Sequence, residues 1–191
     1  MKQTLAILIS ALLPLQTLGA QAPPLGAHRP WIELGLGGSS EAANCASCYQ
    51  KKMGGPTASL SFGATITPRF GLAVLLRSFA EFSFEASHDA NYVVGLAQYS
   101  PTPGLMLNGG LGYGSQFGGD RPYNDSGSGA VLGGGIALRL PPTSILGLTL
   151  NVDWLKTVSG TARMRSNQLG TSYRPLLFTI GLGLNIAADA S

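Results

Sequence analysis

Residues 174–186 read RPLLFTIGLGLNI, and this stretch constrains the fold more than any other part of the chain. Apolar residues alternate in it with small or polar ones, a period of two that indicates a β-strand with two unlike faces. The apolar positions are Leu176, Phe178, Ile180, Leu182, Leu184 and Ile186, and Thr179, Gly181, Gly183 and Asn185 separate them. The stretch carries no charge after Arg174. Such a strand suits a barrel wall with hydrocarbon outside and a packed, polar lumen inside.

The N-terminus has the layout of a secretory signal peptide. Lys2 supplies the positive start, residues 5–15 form an apolar run, and Leu18-Gly19-Ala20 ends it with small residues. The run is too short for a transmembrane anchor. We therefore expect a signal peptide over residues 1–20 that is cleaved after Ala20. A periplasmic lead-in over residues 21–30 and an outer-membrane barrel over residues 31–187 should follow.

The composition narrows the class further. Charged residues make up 11% of the chain, against about 25% in ordinary soluble domains, and 27 of the 191 residues are glycine. After the signal no apolar run is long enough for a transmembrane helix. The net charge of +3 is small and no basic cluster is interleaved with aromatics, so we expect no nucleic-acid partner. One domain of the β-barrel class fits these features.

Alternation of this kind recurs eight times along the chain. The predicted strands are residues 31–38, 57–66, 71–85, 92–99, 104–114, 130–140, 145–156 and 174–186. Their connections alternate between longer loops and short turns, and each of the three short turns contains proline. Outer-membrane barrels have short periplasmic turns and longer extracellular loops. The sequence thus predicts an all-β fold, an eight-stranded antiparallel up-and-down transmembrane barrel with both termini in the periplasm.

The two faces of the predicted strands differ in composition. One face is uniformly apolar, and the other is mostly Gly, Ser, Thr, Ala and Asn with few charges. A soluble barrel would present Lys and Glu to water on every strand, whereas small residues fit the narrow interior of an eight-stranded barrel. We therefore assign the apolar face to lipid. Aromatic residues near the loop ends of the strands predict an interfacial girdle of Phe84, Tyr92, Tyr113 and Trp154.

Five charged side chains have the parity of the lumen face: Glu33, Arg77, Glu81, Arg139 and Asp153. Unpaired charges in a low-dielectric interior are costly, so these side chains are expected to pair. Counting along the strands places Arg77 and Asp153 at mid-barrel and Glu81 one step above Arg77. Glu33 and Arg139 fall toward the periplasmic end. The prediction is an ion-pair plug without an open pore, and charges bathed in small water pockets are the alternative.

The pattern over about residues 31–186 resembles the small eight-stranded outer-membrane barrels of the OmpA/OmpX/OmpW type. The C-terminal stretch is similar to their terminal signal, with the polar Thr179, then Gly181, then the alternating Leu184 and Ile186. The usual terminal aromatic residue is absent, and AADAS follows. The resemblance implies outer-membrane localisation, a monomer, contact with outer-membrane lipid and lipopolysaccharide, and the barrel-assembly machinery as a partner during biogenesis.

Cys45 and Cys48 form a C-x-x-C in the first predicted loop. A thioredoxin-like motif needs a βαβ context, and a zinc site needs two further ligands. An exported loop lies in an oxidising compartment, so a disulfide is the preferred interpretation. Free thiols, or a metal or redox role, are the alternatives. No cofactor is expected.

Ser87, His88 and Asp89 are consecutive in the second predicted loop. Barrels that trim lipid A use a His, a Ser and a carboxylate on the outer rim. Neighbours in an extended chain point apart, so these three cannot form a hydrogen-bonded relay among themselves. We interpret them as a solvated turn and predict no catalytic residue.

Five basic residues fall in the predicted long loops: Lys51, Lys52, Arg121, Arg163 and Arg165. They are either a solvated rim or contacts to lipopolysaccharide phosphates, which Arg and Lys favour. Together these features predict a non-enzymatic barrel with a structural or loop-mediated surface-binding role. A narrow channel or a carrier for small apolar molecules is one alternative, and a lipid-A-modifying enzyme is the other.

Overall fold

The computed structural model of the protein describes residues 29–42, 52–82, 86–120, 125–140, 146–164, 168–172 and 174–187. The strands are β1 (Pro30–Ala42), β2 (Lys52–Thr67), β3 (Phe70–Phe82), β4 (Ala86–Thr102), β5 (Leu105–Asp120), β6 (Asp125–Leu140), β7 (Leu146–Met164), β8 (Gln168–Ser172) and β9 (Leu176–Ala187). No helix in these ranges is long and apolar enough to cross a membrane.

The strands form one closed antiparallel sheet. Each strand from β1 to β7 pairs with the next along the chain, and β7 pairs with β9 over its first part and with β8 over its last part. Pairing of β1 with β9 closes the ring. Pro175 lies between β8 and β9, and it interrupts the ladder because proline has no N–H to donate. The prediction of an eight-stranded antiparallel barrel is confirmed, with β8 and β9 together forming the eighth strand of the wall.

The pairing register determines how far the strands are staggered. Stepping from Trp31 to its cross-strand partner, and from each residue to the next partner, leads once around the ring. The path returns to β1 at Glu41, ten residues beyond Trp31 (position 31 to position 41). The partners on this path are Gly63, Ala73, Leu96, Gly110, Gly133, Leu155 and Leu177. Such a stagger tilts the strands against the barrel axis. Residues at equal counts along different strands therefore differ in depth.

The two ends of the barrel differ in their connections, and we call them the short-turn end and the long-hairpin end. At the short-turn end, Thr67 Oγ1 accepts a hydrogen bond of 3.1 Å from the backbone N–H of Phe70, which stabilises the turn between β2 and β3. The turn between β4 and β5 contains Pro103 and then Gly104, whose φ of +87° is the left-handed value that a type II turn needs at this position. The third predicted turn, residues 141–144, lies outside the described residues.

At the long-hairpin end the strands extend further than the sequence predicted. Much of the predicted loops 39–55, 86–91, 115–129 and 157–172 is paired strand, and the β1–β2 ladder continues as far as Ala42 and Lys52. The last predicted strand, in turn, begins at Leu176 rather than at Arg174. Apolar alternation stops where the outer surface becomes polar, whereas the ladder continues because it needs only peptide groups. This end of the barrel therefore projects beyond the apolar part of the wall.

The outward-facing side chains of the wall form an apolar belt. Large apolar residues are exposed on every strand of the ring, with exposed fractions such as 56% for Leu34, 70% for Leu111 and 60% for Leu182. Inward positions between them are buried or half-buried, and Thr149 is 0% exposed. The prediction that the uniformly apolar face points outward is confirmed.

Leu148 and Thr149 provide a matched test of the two faces, since Leu148 is 52% exposed outside and Thr149 is buried inside. If the belt lies in a bilayer and Leu148 sits near its midplane, Leu148→Arg should lower the free energy of unfolding by about 2–4 kcal/mol, because it places a charge in hydrocarbon. Thr149→Ser keeps the hydroxyl and should cost about 1 kcal/mol, the value of one buried methyl group. Urea unfolding in lipid vesicles, followed by gel mobility without boiling, measures both. Equal tolerance at the two positions would contradict a bilayer around the belt.

Candidate functional site

Charged and polar side chains from opposite sides of the ring meet in the lumen. Arg77 on β3 donates from Nη1 to Oδ1 of Asp153 on β7 and from Nη2 to Oδ2, the second bond being 2.9 Å long. The two side chains are 5% and 16% exposed. Since β3 and β7 are four steps apart in either direction around the ring, this bidentate ion pair spans the lumen.

A row of hydroxyl groups connects the ion pair to three more strands. Arg77 Nη1 also donates to Thr179 Oγ1 over 3.3 Å. The Thr179 hydroxyl shares a hydrogen bond of 2.8 Å with Ser39 Oγ, and Ser39 in turn bonds Thr57. All three hydroxyl side chains are buried. The middle of the lumen is therefore cross-linked by one polar network that reaches β1, β2, β3, β7 and β9.

A second polar group lies nearer the short-turn end. Glu33 is 8% exposed and accepts a hydrogen bond of 3.0 Å from Asn151 Nδ2, which also lies 3.4 Å from Thr149 Oγ1. Arg139 of β6, the cross-strand partner of Thr149, was expected to pair with Glu33. Within the described ranges, however, no ion pair of 4.0 Å or less joins them, so the direct partner of Glu33 is an amide.

Glu81 stands apart from the other predicted lumen charges. It is half-buried on the inward side of β3, opposite His88 of β4. No hydrogen bond or ion pair joins it to another residue in the part of the chain that the structure describes. The five predicted lumen charges thus separate into the Arg77–Asp153 pair, the neighbours Glu33 and Arg139, and a separate Glu81.

A third polar group lies in the long-hairpin half of the lumen, around Glu41 of β1, which is 0% exposed. Its Oε2 lies 3.4 Å from Gln116 Nε2 and 3.5 Å from the Tyr92 hydroxyl, and Gln116 Nε2 donates to that hydroxyl over 2.8 Å. His88 Nε2 lies 3.4 Å from Glu41 Oε1. Glu41 falls in a predicted loop and was not predicted as a lumen residue, although it continues the inward parity of Glu33.

Apolar side chains fill the space around this third group, and we call them the apolar plug. They are Met53, Leu75, Phe79, Ala90, Tyr92, Val94, Val131, Leu155 and Leu177, each at most 8% exposed. This half of the lumen is packed like the core of a soluble protein. The expectation of a polar lumen is therefore only partly met in the long-hairpin half, where apolar side chains surround the polar group of Glu41. Leu75 and Phe79 share the parity of Arg77 on β3, and this was the signal available in the sequence.

Tyr92 was predicted as part of the aromatic girdle, and this prediction is wrong, because its ring is 2% exposed and lies in the apolar plug. On β4 the inward Val94 and the outward Val93 are both apolar, so alternation cannot assign the faces of this strand. Tyr113 and Trp154 face outward with exposed fractions of 55% and 36%. Phe84 lies outside the described residues.

Glycines make room for the large lumen side chains. A Cβ atom at Gly114 would lie 2.7 Å from Cδ1 of the Tyr92 ring. One at Gly183 would lie 2.6 Å from Oε1 of Glu33. Both distances are too short for real Cβ contacts, so any larger residue would displace the ring or the carboxylate. The high glycine content of the chain thus serves close packing inside a narrow ring.

The residues considered for chemistry do not assemble into a reactive site. His88 faces the lumen whereas Asp89 is exposed on the outside, so the adjacent pair points apart. No group of three or more His, Cys, Asp and Glu residues within the described ranges could hold a metal ion. Outside those ranges lie Cys45, Cys48, Lys51, Arg121 and Arg165. Of Lys52 and Arg163, only the strand backbone is described.

Solved structures similar to this chain are small outer-membrane barrels. The attachment invasion locus protein Ail of Yersinia pestis has a TM-score of 0.53 and 12% identity, covering 82% of this chain and 98% of its own. OprG from Pseudomonas aeruginosa has a TM-score of 0.53 and 13% identity, covering 85% and 97%. Neisserial surface protein A has a TM-score of 0.51 and 9% identity, covering 82% and 96%.

No protein-family model matches the chain, and no curated protein matches it in sequence. Identities of 9–13% carry information about the fold alone. The match extends over nearly the whole length of each of the three neighbours, and the ring of this chain is closed in the same all-antiparallel way. The protein therefore has the fold of the small eight-stranded outer-membrane β-barrels.

Proposed function

We propose that this chain is a closed, non-enzymatic outer-membrane barrel whose lumen is a structural core and whose working surface is the long-hairpin end. The filled lumen is the observation that carries the proposal. An ion pair crosses the middle of the ring, and the apolar plug packs beside it and beyond it toward the long-hairpin end. The apolar belt and the closed ring support a bilayer location, because no backbone edge is left facing lipid. The signal peptide predicted from the sequence supports export.

The filling of the lumen also argues against the channel and carrier alternatives. Arg77, Phe79 and Leu155 are 6%, 1% and 2% exposed, so water has little room to pass between them. A carrier with a lateral opening needs neighbouring strands that separate within the wall. Three of the four register shifts in the described ladders lie near strand ends. The fourth, between Ala130 and Val131 of β6, leaves the β6–β7 ladder paired on both sides.

The positions of His88 and Asp89 argue against a lipid-modifying enzyme. Catalysis on a membrane lipid needs a base and its orienting group on the lipid-facing side. Here the imidazole lies inside the wall beside Glu41, and Asp89 is exposed outside. The Glu41–His88 contact is part of the packed lumen.

The long-hairpin end is the surface on which we place binding. Its paired strands project beyond the belt and expose small polar side chains such as Ser40, Asn91 and Thr161. The basic residues of the predicted loops belong to the same end, so an anionic partner such as lipopolysaccharide fits best. We place this end outside the cell and both termini in the periplasm. The protein acts as a monomer that the barrel-assembly machinery inserts.

A polyanion is the first soluble ligand to test on this surface. Ail was solved in complex with the heparin analogue sucrose octasulfate, and sulfate groups attract a basic rim through charge. Binding of heparin should be lost on neutralising Lys51 and Lys52 together, while neutralising Arg69 in a turn at the opposite end should leave it unchanged. Equal loss in both variants would remove the long-hairpin end as the binding surface.

Arg77→Ala tests the structural role of the lumen. It should lower the free energy of unfolding by about 3–5 kcal/mol, because Asp153 is left buried without its partner. The double variant Arg77→Ala/Asp153→Asn removes both charges and should recover part of that loss. Urea titration with gel mobility as the readout measures the three proteins. A double variant as unstable as the single one would show that packing, rather than the unpaired charge, sets the cost.

Conductance tests the closed lumen directly. The unmodified protein in planar bilayers should show no steady, long-lived conductance, since the plug and the ion pair leave no water-filled bore. Arg77→Ala/Asp153→Asn, which removes the bridge across the ring, serves as the comparison for leakage. A stable conductance from the unmodified protein would contradict the closed lumen and favour the channel alternative.

Cysteine labelling tests the orientation. In a Cys45→Ser/Cys48→Ser background, Thr161→Cys at the long-hairpin end should react with a membrane-impermeant maleimide on intact cells. Arg69→Cys, in an exposed turn at the other end, should react only after lysis. The reverse pattern would invert the topology while leaving the fold untouched.

A further inference from the structure

Two cationic side chains stand on the outside of the wall toward the long-hairpin edge of the apolar belt. Lys156 on β7 and Arg174, just before β9, are both exposed. Leu176 is the cross-strand partner of Lys156, and Arg174 is the next outward residue beyond Leu176. Diagonal neighbours of this kind are about 7–8 Å apart, within reach of side chains of this length. The two positive charges can therefore act on one anion.

An aromatic surface lies directly on the belt side of these cations. Trp154 and Phe178 are cross-strand partners one outward step nearer the middle of the belt. They are 36% and 43% exposed. Tryptophan is enriched where acyl chains meet head groups, because its ring is apolar and its N–H is polar. A ligand with acyl chains beside these rings and an anion above them would match both halves of the surface.

No described carboxylate on this side of the barrel neutralises the two cations. Asp and Glu are absent from the described outward side chains of β1, β6, β7 and β9. An outward carboxylate does occur at Asp89, but it lies on β4, which is remote from β7 and β9 in the ring. Lys156 and Arg174 make no hydrogen bond or ion pair with another residue in the ranges given above. Their charges are available to a ligand.

We propose that Lys156, Arg174 and the Trp154–Phe178 surface form a binding site for lipid-linked phosphate, the group that lipid A shares with phosphatidic acid. Arg174 offers a planar fork that can bind two phosphate oxygens, and Lys156 adds a compact second charge. The site rests on the proposed membrane location and adds the class of lipid that is bound there. It is separate from the basic residues of the loops, because Lys156, Trp154 and Phe178 lie on strands of the wall and Arg174 lies just before β9.

Trp154 provides a built-in reporter for this site. Trp31→Phe removes the other tryptophan, and the protein is reconstituted in phosphatidylcholine vesicles with a small fixed fraction of lipid brominated on its acyl chains. Bromine quenches tryptophan emission on contact. Dibrominated phosphatidic acid should quench Trp154 more strongly than dibrominated phosphatidylcholine does, as if it were enriched about fivefold around the ring. An enrichment of this size corresponds to about one favourable contact with a cationic side chain. Added salt should reduce this preference.

Charge-neutral variants identify the source of the preference. Lys156→Gln/Arg174→Gln should abolish it while leaving quenching by dibrominated phosphatidylcholine unchanged. Arg69→Gln, which removes an exposed cation in a turn at the other end, should leave it intact. Unbrominated lipid A should restore the fluorescence by displacing the quencher. Inorganic phosphate at tens of millimolar should not, and displacement by it would replace the lipid site with a free-anion site.

Two failures are distinguishable in this experiment. Equal quenching by both brominated lipids, or a preference that survives Lys156→Gln/Arg174→Gln, would overturn the phosphate site alone. Absence of quenching by either lipid would overturn the membrane location on which the site rests. If Trp31→Phe does not fold, as judged by gel mobility, Trp31 can remain, because it faces inward and adds a constant background.

Discussion

Closure of the ring between β1 and β9 is the constraint on which the rest of this structure depends. An open sheet would leave two rows of N–H and C=O groups unpaired, and each such group is costly in hydrocarbon. The ladder from Trp31 with Ala187 to Ala42 with Leu176 removes both rows. Once eight strands close with a stagger of ten residues, the width of the lumen is set. Every inward side chain must then fit a space that cannot adjust.

The protein fills this space with two different kinds of contact. Toward the middle, Arg77 and Asp153 cross the lumen, and their bidentate geometry with the Thr179 hydroxyl offsets the cost of burying charge. Toward the long-hairpin end, Phe79, Leu155 and their neighbours pack around the polar group of Glu41 and Gln116 and exclude water from it. Glycines opposite the largest groups make both solutions possible. The lumen is therefore an interior in the ordinary sense of a folded protein.

Sequence reasoning recovers the wall because one face of most strands is uniformly apolar, as in Leu176 to Ile186. It fails where that contrast disappears. On β4 both Val93 and Val94 are apolar, so Tyr92 was assigned to the wrong side. Beyond the belt the alternation ends while the backbone ladder continues, so Glu41 was taken for a loop residue. Counting along the strands set Arg77 level with Asp153, and these two side chains do pair. It also set Glu33 level with Arg139, which form no ion pair in the described residues, because the stagger displaces each strand relative to its neighbours.

At the β1–β9 seam, the inward-facing residue pairs rather than the outward-facing pairs specify the pairing register. Its outward pairs are Ile32 with Ile186, Leu34 with Leu184 and Leu36 with Leu182, and its inward pairs include Glu33 with Asn185 and Gly35 with Gly183. A shift of two residues in the pairing register would keep the outer surface equally apolar, so contact with lipid cannot discriminate against the shifted register. The same slip would change the circumference of the ring and set carboxylate, amide and glycine against the wrong neighbours. The residues that distinguish the correct register from a shifted one therefore lie on the inward face, which lipid does not contact.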